Sequence, residues 1–268
     1  MKRFILPAEP NPEGMVRLYE KDYHYLVRVR RLETGMCFDA LTPGGEETRV
    51  RILSTVDKIL IGECLDAAKS DKGEASRLPP IALFQGIPKG SKMDLIVRQA
   101  AEGGVSLVAP FTSEFSAAKF RRDSGEKAKR WERIVREARQ QSGSAIETKI
   151  RPPGDFEALI EFWESLKKEY KQPLGILLHQ DPLEKGTFHD YLGKEADFIA
   201  LVVGPEGGFS PGEVSRFLTA GFKPLLLGNT ILRTETAALY GTAAIRIILL
   251  ESETWTPGPR GLSSSRYP

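Results

Sequence analysis

Residues 198–213 read FIALVVGPEGGFSPGE, and this stretch contains a strand, a glycine-rich turn and the start of a helix. The apolar run Phe198–Val203 predicts an interior strand that is buried on both faces. Ser210, the proline after it and Glu213 form a capping box, which predicts a helix beginning at Pro211. The turn follows the carboxyl end of a strand, where open α/β sheets bind ligands, so we expect a binding site there.

The glycine-rich turn Gly204–Gly208 does not have the chemistry of a phosphate loop. Its sequence, GPEGG, lacks both the GxGxxG spacing and the lysine of the GxxxxGK[ST] motif. Glu206 would repel a phosphate, whereas a carboxylate suits a ligand that carries positive charge or offers hydroxyl and amino donors. The alternative is a turn that only connects a strand to a helix.

Composition excludes several classes of protein. The chain has 268 residues, of which 41% are hydrophobic and 28% charged, which is typical of a globular protein and favours two domains. Cys37 and Cys64 form no CxxC pair, and the three histidines lack the spacing of metal ligands. The N-terminus has no apolar signal-peptide core, and no apolar run approaches the ~20 residues of a membrane span. We therefore expect a cytoplasmic protein that binds no metal.

The chain changes character near Arg77. Before it, five short strand-like runs separated by turns predict a small β-barrel, in which HYLVRVRRLETG, ending at Gly35, is the helix-like stretch. The polar stretch 67–80 ends in two prolines and is typical of a linker. After it, alternating strand-like and helix-like runs predict a parallel sheet with crossover helices. The predicted divisions are a barrel at 1–77, an α/β domain at 78–251 and a flexible tail at 252–268.

Charge is unevenly distributed along the chain. Residues 1–78 carry 13 basic and 13 acidic side chains, residues 79–151 carry 14 and 8, and residues 152–268 carry 11 and 15. The basic excess is concentrated in Lys119–Arg139, which has nine basic residues against four acidic ones. This segment predicts an amphipathic helix whose basic face either contacts a polyanion or is simply solvated. Its predicted apolar stripe consists of Trp131, Ile134, Val135 and Ala138.

A second loop before a helix lies in residues 224–251, which read PLLLGNTILRTETAALYGTAAIRIILLE. The pattern predicts a strand ending at Leu227, a glycine turn, and a helix that Thr234 can cap. From Ala237 to Leu250, eleven of fourteen residues are apolar, so this helix needs burial on more than one side. Either a homodimer contact or a central position in the core would supply that burial.

Together, GPEGGFSPGEV and LLLGNTILRTETAAL resemble the SPOUT class of RNA methyltransferases, and most closely the family that methylates N3 of a uridine in 16S ribosomal RNA. The N-terminal part is also similar to that family, in Arg3-Phe4 and in HYLVRVRRLETG at 24–35. The resemblance covers residues 1 to about 251 and implies a PUA-like β-barrel followed by a SPOUT α/β domain. It further implies a deep trefoil knot, an obligate homodimer and S-adenosyl-L-methionine as cofactor.

The resemblance also implies the cofactor site, because knot loops of this class bind S-adenosylmethionine mostly through backbone groups. Glu206 would then lie near a cationic ligand, or would instead accept hydrogen bonds from backbone amides at the helix start. The implied cofactor-binding residues are Leu178, His179, Gly204, Pro205, Glu206, Gly207, Gly208, Leu227, Gly228, Ile231, Leu232, Arg233, Thr234, Thr236 and Ala237.

The implied reaction needs the N3 proton of uridine to be removed and the developing anion to be stabilised. Arg233 is the candidate for the second task because its guanidinium is permanently charged, although it could instead form a salt bridge with Glu206 or Glu235. Glu235 is a candidate base or orienting residue, although its position at a helix start already explains an acidic side chain.

The implied partner is 16S ribosomal RNA or the small ribosomal subunit. Phe115 and Ser144 stand where the resembled family usually has arginine, in loops on the substrate side. A methyltransferase with a different RNA target, and an RNA-binding protein without catalysis, therefore remain alternatives. The candidate RNA-binding residues are Arg3, Arg28, Arg30 and Arg31 in the barrel and Arg122, Arg130 and Arg133 in the basic segment.

Overall fold

The structure, a computed structural model, describes residues 3–65, 78–116, 125–180, 188–192 and 196–252. These residues form two β-sheets flanked by helices. The predicted boundary near Arg77, the candidate residue Arg122 and the tail beyond residue 252 lie outside the described residues. Within the described ranges, no helix has the length and hydropathy needed to cross a membrane.

The first sheet has five strands in the order β1-β3-β4-β5-β2. Strand β1 pairs with β3 in parallel, and the remaining pairs are antiparallel. The sheet curls around an apolar cluster that includes Phe4, Leu26 and Phe38, and strand β4 carries a bulge after Ile52. The predicted barrel is thus a half-barrel. Its strands are β1 (Phe4–Ile5), β2 (Met15–Leu18), β3 (Cys37–Leu41), β4 (Glu47–Val56) and β5 (Ile59–Leu65).

The helical segment of the half-barrel differs from its prediction. Helix α1 (Glu20–Tyr23) continues into a π-helix (His24–Val29), so the expected helix starts earlier and does not extend to Gly35. Leu26 is the buried side chain of the π-helix, and the arginines that follow supply no apolar face to extend it. The chain leaves the helix at Arg31, which has a φ of +55°.

The second sheet is parallel, in the order β12-β10-β11-β6-β7-β8, with β9 also pairing with β7. This confirms the predicted parallel sheet. Strand β11 is interior and all six of its residues are buried, as its apolar run predicted. The strands are β6 (Ile81–Gly86), β7 (Leu107–Thr112), β8 (Lys149–Ile150), β9 (Gly154–Asp155), β10 (Pro173–Leu178), β11 (Phe198–Val203) and β12 (Lys223–Leu225).

Helices cover both faces of the second sheet. One face packs against α2, α3 and α7 through residues such as Trp131 and Ile245, and the other packs against α4 and α6 through Trp163 and Phe217. Helix α6 begins at Pro211 with the predicted capping box. The helices are α2 (Lys92–Glu102), α3 (Gly125–Ser142), α4 (Phe156–Glu169), α5 (Phe188–Tyr191), α6 (Pro211–Thr219) and α7 (Thr234–Ser252).

Helix α3 also contacts the half-barrel. Gln140 Oε1 accepts a hydrogen bond from the Ile5 amide at 2.8 Å. Arg139 is buried and donates to the carbonyl oxygens of Pro43 and Ala145, each at 3.3 Å. Burial lowers the pKa of Arg139 below its ordinary value. The predicted apolar stripe of the helix is confirmed, but Arg139 lies in this contact and not on the basic outer face.

Close packing makes one glycine of the second sheet hard to replace. A methyl group at Gly175 in β10 would lie 2.6 Å from Cδ1 of Phe222, whose buried ring packs against Trp163. We expect Gly175→Ala to lower the free energy of unfolding by about 1–3 kcal/mol, because a packed ring must move.

The matched control is Gly212→Ala in helix α6, where the atom nearest to the added methyl, Ser210 Oγ, lies 3.8 Å away. We expect its stability to be unchanged or raised by up to about 1 kcal/mol, because alanine favours helix. Urea denaturation measures both variants, and equal losses in the two would contradict the packing argument.

Candidate active site

The glycine-rich turn 204–208 lies beside the end of strand β6, and two of its positions require glycine for different reasons. A Cβ at Gly207 would lie 2.8 Å from Cβ of Phe115, so glycine is needed there for close approach. Gly208 has a φ of +69°, a region that favours glycine, and its missing Cβ would meet no atom within 4 Å. The turn is therefore packed against Phe115 at Gly207 and leaves open space at Gly208.

The hydroxyl of Thr234 connects this turn to two other elements. It donates to the Gly204 carbonyl at 2.6 Å and accepts from Gln85 Nε2 at 2.9 Å. Gln85 Nε2 also donates to the Gly86 carbonyl, which can only accept, so the orientation of the amide is fixed. Thr234 is the first residue of α7, and its side chain bonds outside the helix where the sequence predicted a cap. The ends of β6 and β11 are thereby joined to the start of α7.

Glu206 bonds to the loop that follows strand β6. Its carboxylate accepts from Lys92 Nζ at 2.8 Å and from the Lys89 amide at 3.2 Å. Partial burial opposes ionisation, but the bonds from Lys92 and the backbone amides outweigh it and hold the pKa of Glu206 below its ordinary value. Lys92 Nζ also lies 3.6 Å from Glu235 Oε2. These bonds come from the loop after β6 and from the first residue of helix α2, and among the described residues none comes from the start of the helix that follows the turn.

Arg233 is exposed in the loop before helix α7. Among the described residues, it makes no ion pair with Glu206 or Glu235, and the cation that contacts both carboxylates is Lys92. The salt bridge offered as an alternative role for Arg233 is therefore wrong. Neither glutamate neutralises its guanidinium in this structure.

The remaining candidate cofactor residues lie on adjacent strand ends and on the loop after β12. Leu178 ends strand β10 and His179 follows it, where the His179 amide donates to the Leu225 carbonyl at 3.1 Å. Leu227 packs at the margin of the core, whereas Ile231 is fully exposed. The other members of the set lie in the glycine-rich turn, in the loop between β12 and α7, or in the first turn of α7. They are Pro205, Gly228, Leu232, Thr236 and Ala237.

Two of the candidate RNA-binding arginines are engaged in ion pairs with other elements. Arg3 lies 2.7 Å from a Glu47 carboxylate oxygen in strand β4. Arg130 pairs with Asp94 of helix α2, which also accepts from Trp131 Nε1 at 3.1 Å. Arg130 therefore contributes to the packing of α2 against α3, and removing its charge would disturb that contact.

The other described arginines of the set are less constrained. Arg133 is 3.9 Å from Glu137 on the same helix, Arg28 is exposed within the π-helix, and Arg31 is exposed just after it. Arg30 is half-buried, and its Nη1 has no hydrogen-bond partner among the described residues. Arg133, Arg28 and Arg31 therefore remain the candidates best placed to meet a polyanion.

Sequence reasoning missed Gln85 and Lys92. Gln85 comes directly before the segment GIPKGSK, which connects strand β6 to helix α2, and Lys92 is the last residue of that segment. A glycine-containing loop at the carboxyl end of a parallel strand is a signal for a site, and it was available in the sequence. The described residues include no group of three His, Cys, Asp or Glu side chains that could hold a metal ion.

This fold and site define a class of protein: the model of the RNA methyltransferase domain family matches residues 75–246. A relative from Synechocystis, ribosomal RNA small subunit methyltransferase E, is 32% identical and aligns over 92% of this chain and 78% of its own length. A relative from Borreliella burgdorferi, ribosomal RNA small subunit methyltransferase E 2, is 31% identical and aligns over 85% of this chain and 89% of its own length. The chain belongs to the ribosomal RNA small subunit methyltransferase E family.

A solved structure is similar over nearly the whole chain. Ribosomal RNA small subunit methyltransferase E from Neisseria gonorrhoeae, bound to S-adenosyl methionine, has a TM-score of 0.73 and 25% identity, and the match covers 92% of this chain and 98% of that one.

The junction at Thr234 predicts a stability effect. We expect Thr234→Val to lower the free energy of unfolding by about 1–3 kcal/mol, because the Gly204 carbonyl and the Gln85 amide each lose a partner in a buried position. Thr242→Val is the control, because its hydroxyl donates at 2.7 Å to a carbonyl of its own helix, that of Ala238. That carbonyl keeps its helical partner, so we expect a loss below about 1 kcal/mol. Chemical denaturation distinguishes the two, and a larger loss in the control would refute the junction.

Proposed function

We propose that this chain uses S-adenosyl-L-methionine to methylate N3 of a uridine in 16S ribosomal RNA. The observation that carries the proposal is the junction of Thr234 with Gly204, because it joins the two loops that the family resemblance assigns to the cofactor. The names of the relatives support the substrate class, and the bound ligand of the Neisseria gonorrhoeae protein supports the cofactor.

The site fits the proposed cofactor in shape and in charge. Gly208 leaves open space in front of the turn, which allows the close backbone approach that a bent ligand needs. Glu206 and Glu235 supply negative charge, and Glu235 Oε2 has no hydrogen-bond donor among the described residues. Carboxylates next to open backbone suit a ligand that carries a sulfonium, an amino group and ribose hydroxyls.

The chemistry divides between the cofactor and the chain. S-adenosylmethionine, when bound, supplies an electrophilic methyl group. Arg233 stabilises the negative charge that develops on the uracil ring as the N3 proton leaves to solvent and the N3–methyl bond forms. The burial of Glu235 Oε2 beside Lys92 favours an orienting role for Glu235 over that of a base. The backbone of the two loops would hold the cofactor, and in-line transfer requires the uridine N3 to lie opposite its sulfonium.

The family resemblance also leads us to include a homodimer. Helix α7 buries Ala238 and Ile245 in the core, yet Leu239, Tyr240 and Ile247 are 37%, 58% and 52% exposed. These exposed side chains form an apolar surface on a helix that already contributes to the core, so the core position supplies only part of the burial that the sequence predicts for this helix. A second copy of the chain would cover the exposed surface.

The deep trefoil knot belongs to the same proposal. Strand β12 lies at the sheet edge beside β10, but the helix that follows starts at the ends of β11 and β6, where Thr234 bonds to Gly204 and Gln85. The chain must therefore pass over the end of β10. Such a crossing is what a knotted arrangement of these loops requires.

A different RNA target is the second candidate function. Phe115 is 46% exposed against the glycine-rich turn, at a position where the resembled family usually has arginine. An aromatic ring there can stack on a base but cannot pair with a phosphate.

The test is transfer of a tritiated methyl group to 16S ribosomal RNA and to intact small subunits, followed by mapping of the labelled nucleoside. We expect N3-methyluridine at one position. Label at another nucleoside or in another RNA would favour the second candidate, and binding of RNA without transfer would indicate a protein without catalysis.

The role of Arg233 predicts a specific kinetic change. We expect Arg233→Ala to lower kcat by roughly 10²- to 10³-fold, the usual loss for one donor that stabilises a transition state, with little change in cofactor Kd. Arg216→Ala is the control, because Arg216 pairs with Glu157 of α4, on the other face of the sheet, at 2.6 Å. If Arg233→Ala weakens cofactor binding by about the same factor as it lowers kcat, the assigned role is contradicted.

A further inference from the structure

Lys92 is the point where three elements of the candidate site meet. It is the first residue of helix α2, and its Nζ lies 2.8 Å from Glu206 Oε1 and 3.6 Å from Glu235 Oε2. Glu206 belongs to the glycine-rich turn and Glu235 to the first turn of α7. One ammonium group therefore contacts a carboxylate from each of the two loops proposed to bind the cofactor.

The three side chains form a charge cluster that would be unfavourable without its cation. Two carboxylates close to the same nitrogen are close to each other, and like charges at that separation repel. The hydrogen bond to Glu206 is the main cause that raises the pKa of Lys92 above its ordinary value, so Lys92 is charged at neutral pH. Two carboxylates and one ammonium leave the cluster with a single net negative charge.

That charge complements the proposed ligand and not its product. S-adenosylmethionine carries a sulfonium, an ammonium and a carboxylate, and thus a single net positive charge. S-adenosylhomocysteine lacks the sulfonium and is neutral overall. A cluster near the cofactor therefore acts differently on the two molecules, and its net charge sets how strongly the site distinguishes substrate from product.

We propose that Lys92 is a positioning residue of the methyl-transfer site, which holds Glu206 and Glu235 in place and limits their combined charge so that the site still binds S-adenosylhomocysteine. The inference rests on the proposed function, because it takes the cofactor as the ligand. It adds the first residue of helix α2 to the loops already assigned to the site.

The test compares Lys92→Met with the wild-type chain by calorimetry, with S-adenosylmethionine and S-adenosylhomocysteine as separate ligands, at pH 8 and low salt. We expect binding of S-adenosylhomocysteine to weaken by at least about tenfold, because a charge-assisted hydrogen bond that fixes the turn is lost. S-adenosylmethionine should weaken less, because its positive charge is attracted to the uncompensated carboxylates. The affinity ratio should thus move about three- to tenfold toward S-adenosylmethionine.

Two further variants separate charge from structure. Lys92→Arg keeps the positive charge and should restore the wild-type affinity ratio. Lys168→Met removes an exposed lysine from α4, on the other face of the sheet, and should bind both ligands like the wild-type chain. Loss of both affinities by the same factor in Lys92→Met would overturn the proposal, as would affinities that do not change.

A measurement without ligand distinguishes failure of this inference from failure of the proposed function. If the wild-type chain binds neither molecule, the proposed function fails. The ion pair between Lys92 and Glu206 is then tested by the midpoints of thermal unfolding of Lys92→Met, Glu206→Gln and the double variant. A shift in the double variant that is smaller than the sum of the two single shifts supports the ion pair. A shift equal to that sum overturns it.

Discussion

The arrangement of the candidate site depends on one buried hydroxyl group. Thr234 is 5% exposed, and its side chain uses both its donor and an acceptor position, toward Gly204 and Gln85. Strand ends in a parallel sheet are adjacent by topology, but nothing in that topology brings the start of α7 to them. The Thr234 hydroxyl supplies this constraint. A buried carbonyl or amide without a hydrogen-bond partner would destabilise the fold by more than the net free energy of one hydrogen bond. The chain between β12 and α7 must therefore lead from the sheet edge beside β10 to the ends of β11 and β6.

The sequence was most informative where local physics decides the structure. The buried strand at Phe198–Val203 and the helix start at Pro211 follow from apolar continuity and from capping, and both were predicted correctly. The helix expected to reach Gly35 was wrong, because helical spacing was assumed for a segment with one buried side chain. Where a helix ends is harder to predict than whether a segment is helical, because the end depends on what the last turn packs against.

The side-chain part of the site was not predictable in the same way. Glycines mark sites in a sequence because their backbone conformations are unusual, whereas glutamine and lysine are common and give no local sign of their partners. Gln85 and Thr234 are 149 positions apart, and Lys92 and Glu206 are 114 apart. Such pairs follow only from the strand order, which periodicity does not specify. Charge counting has the same limit, since Arg130 pairs with Asp94 although its segment carries an excess of positive charge.

The contact between helix α3 and the half-barrel differs in kind from contacts with nucleic acid. Arg139 donates to the neutral carbonyl of Pro43 in the half-barrel, and Gln140 accepts from the neutral amide of Ile5. Bonds to neutral partners in a buried place are weakly screened by ions, whereas contacts with phosphates are lost steeply as ionic strength rises. A high-salt wash would therefore strip bound polyanion while leaving this contact intact. Rebinding after the salt is removed would then require no rearrangement of the half-barrel against α3.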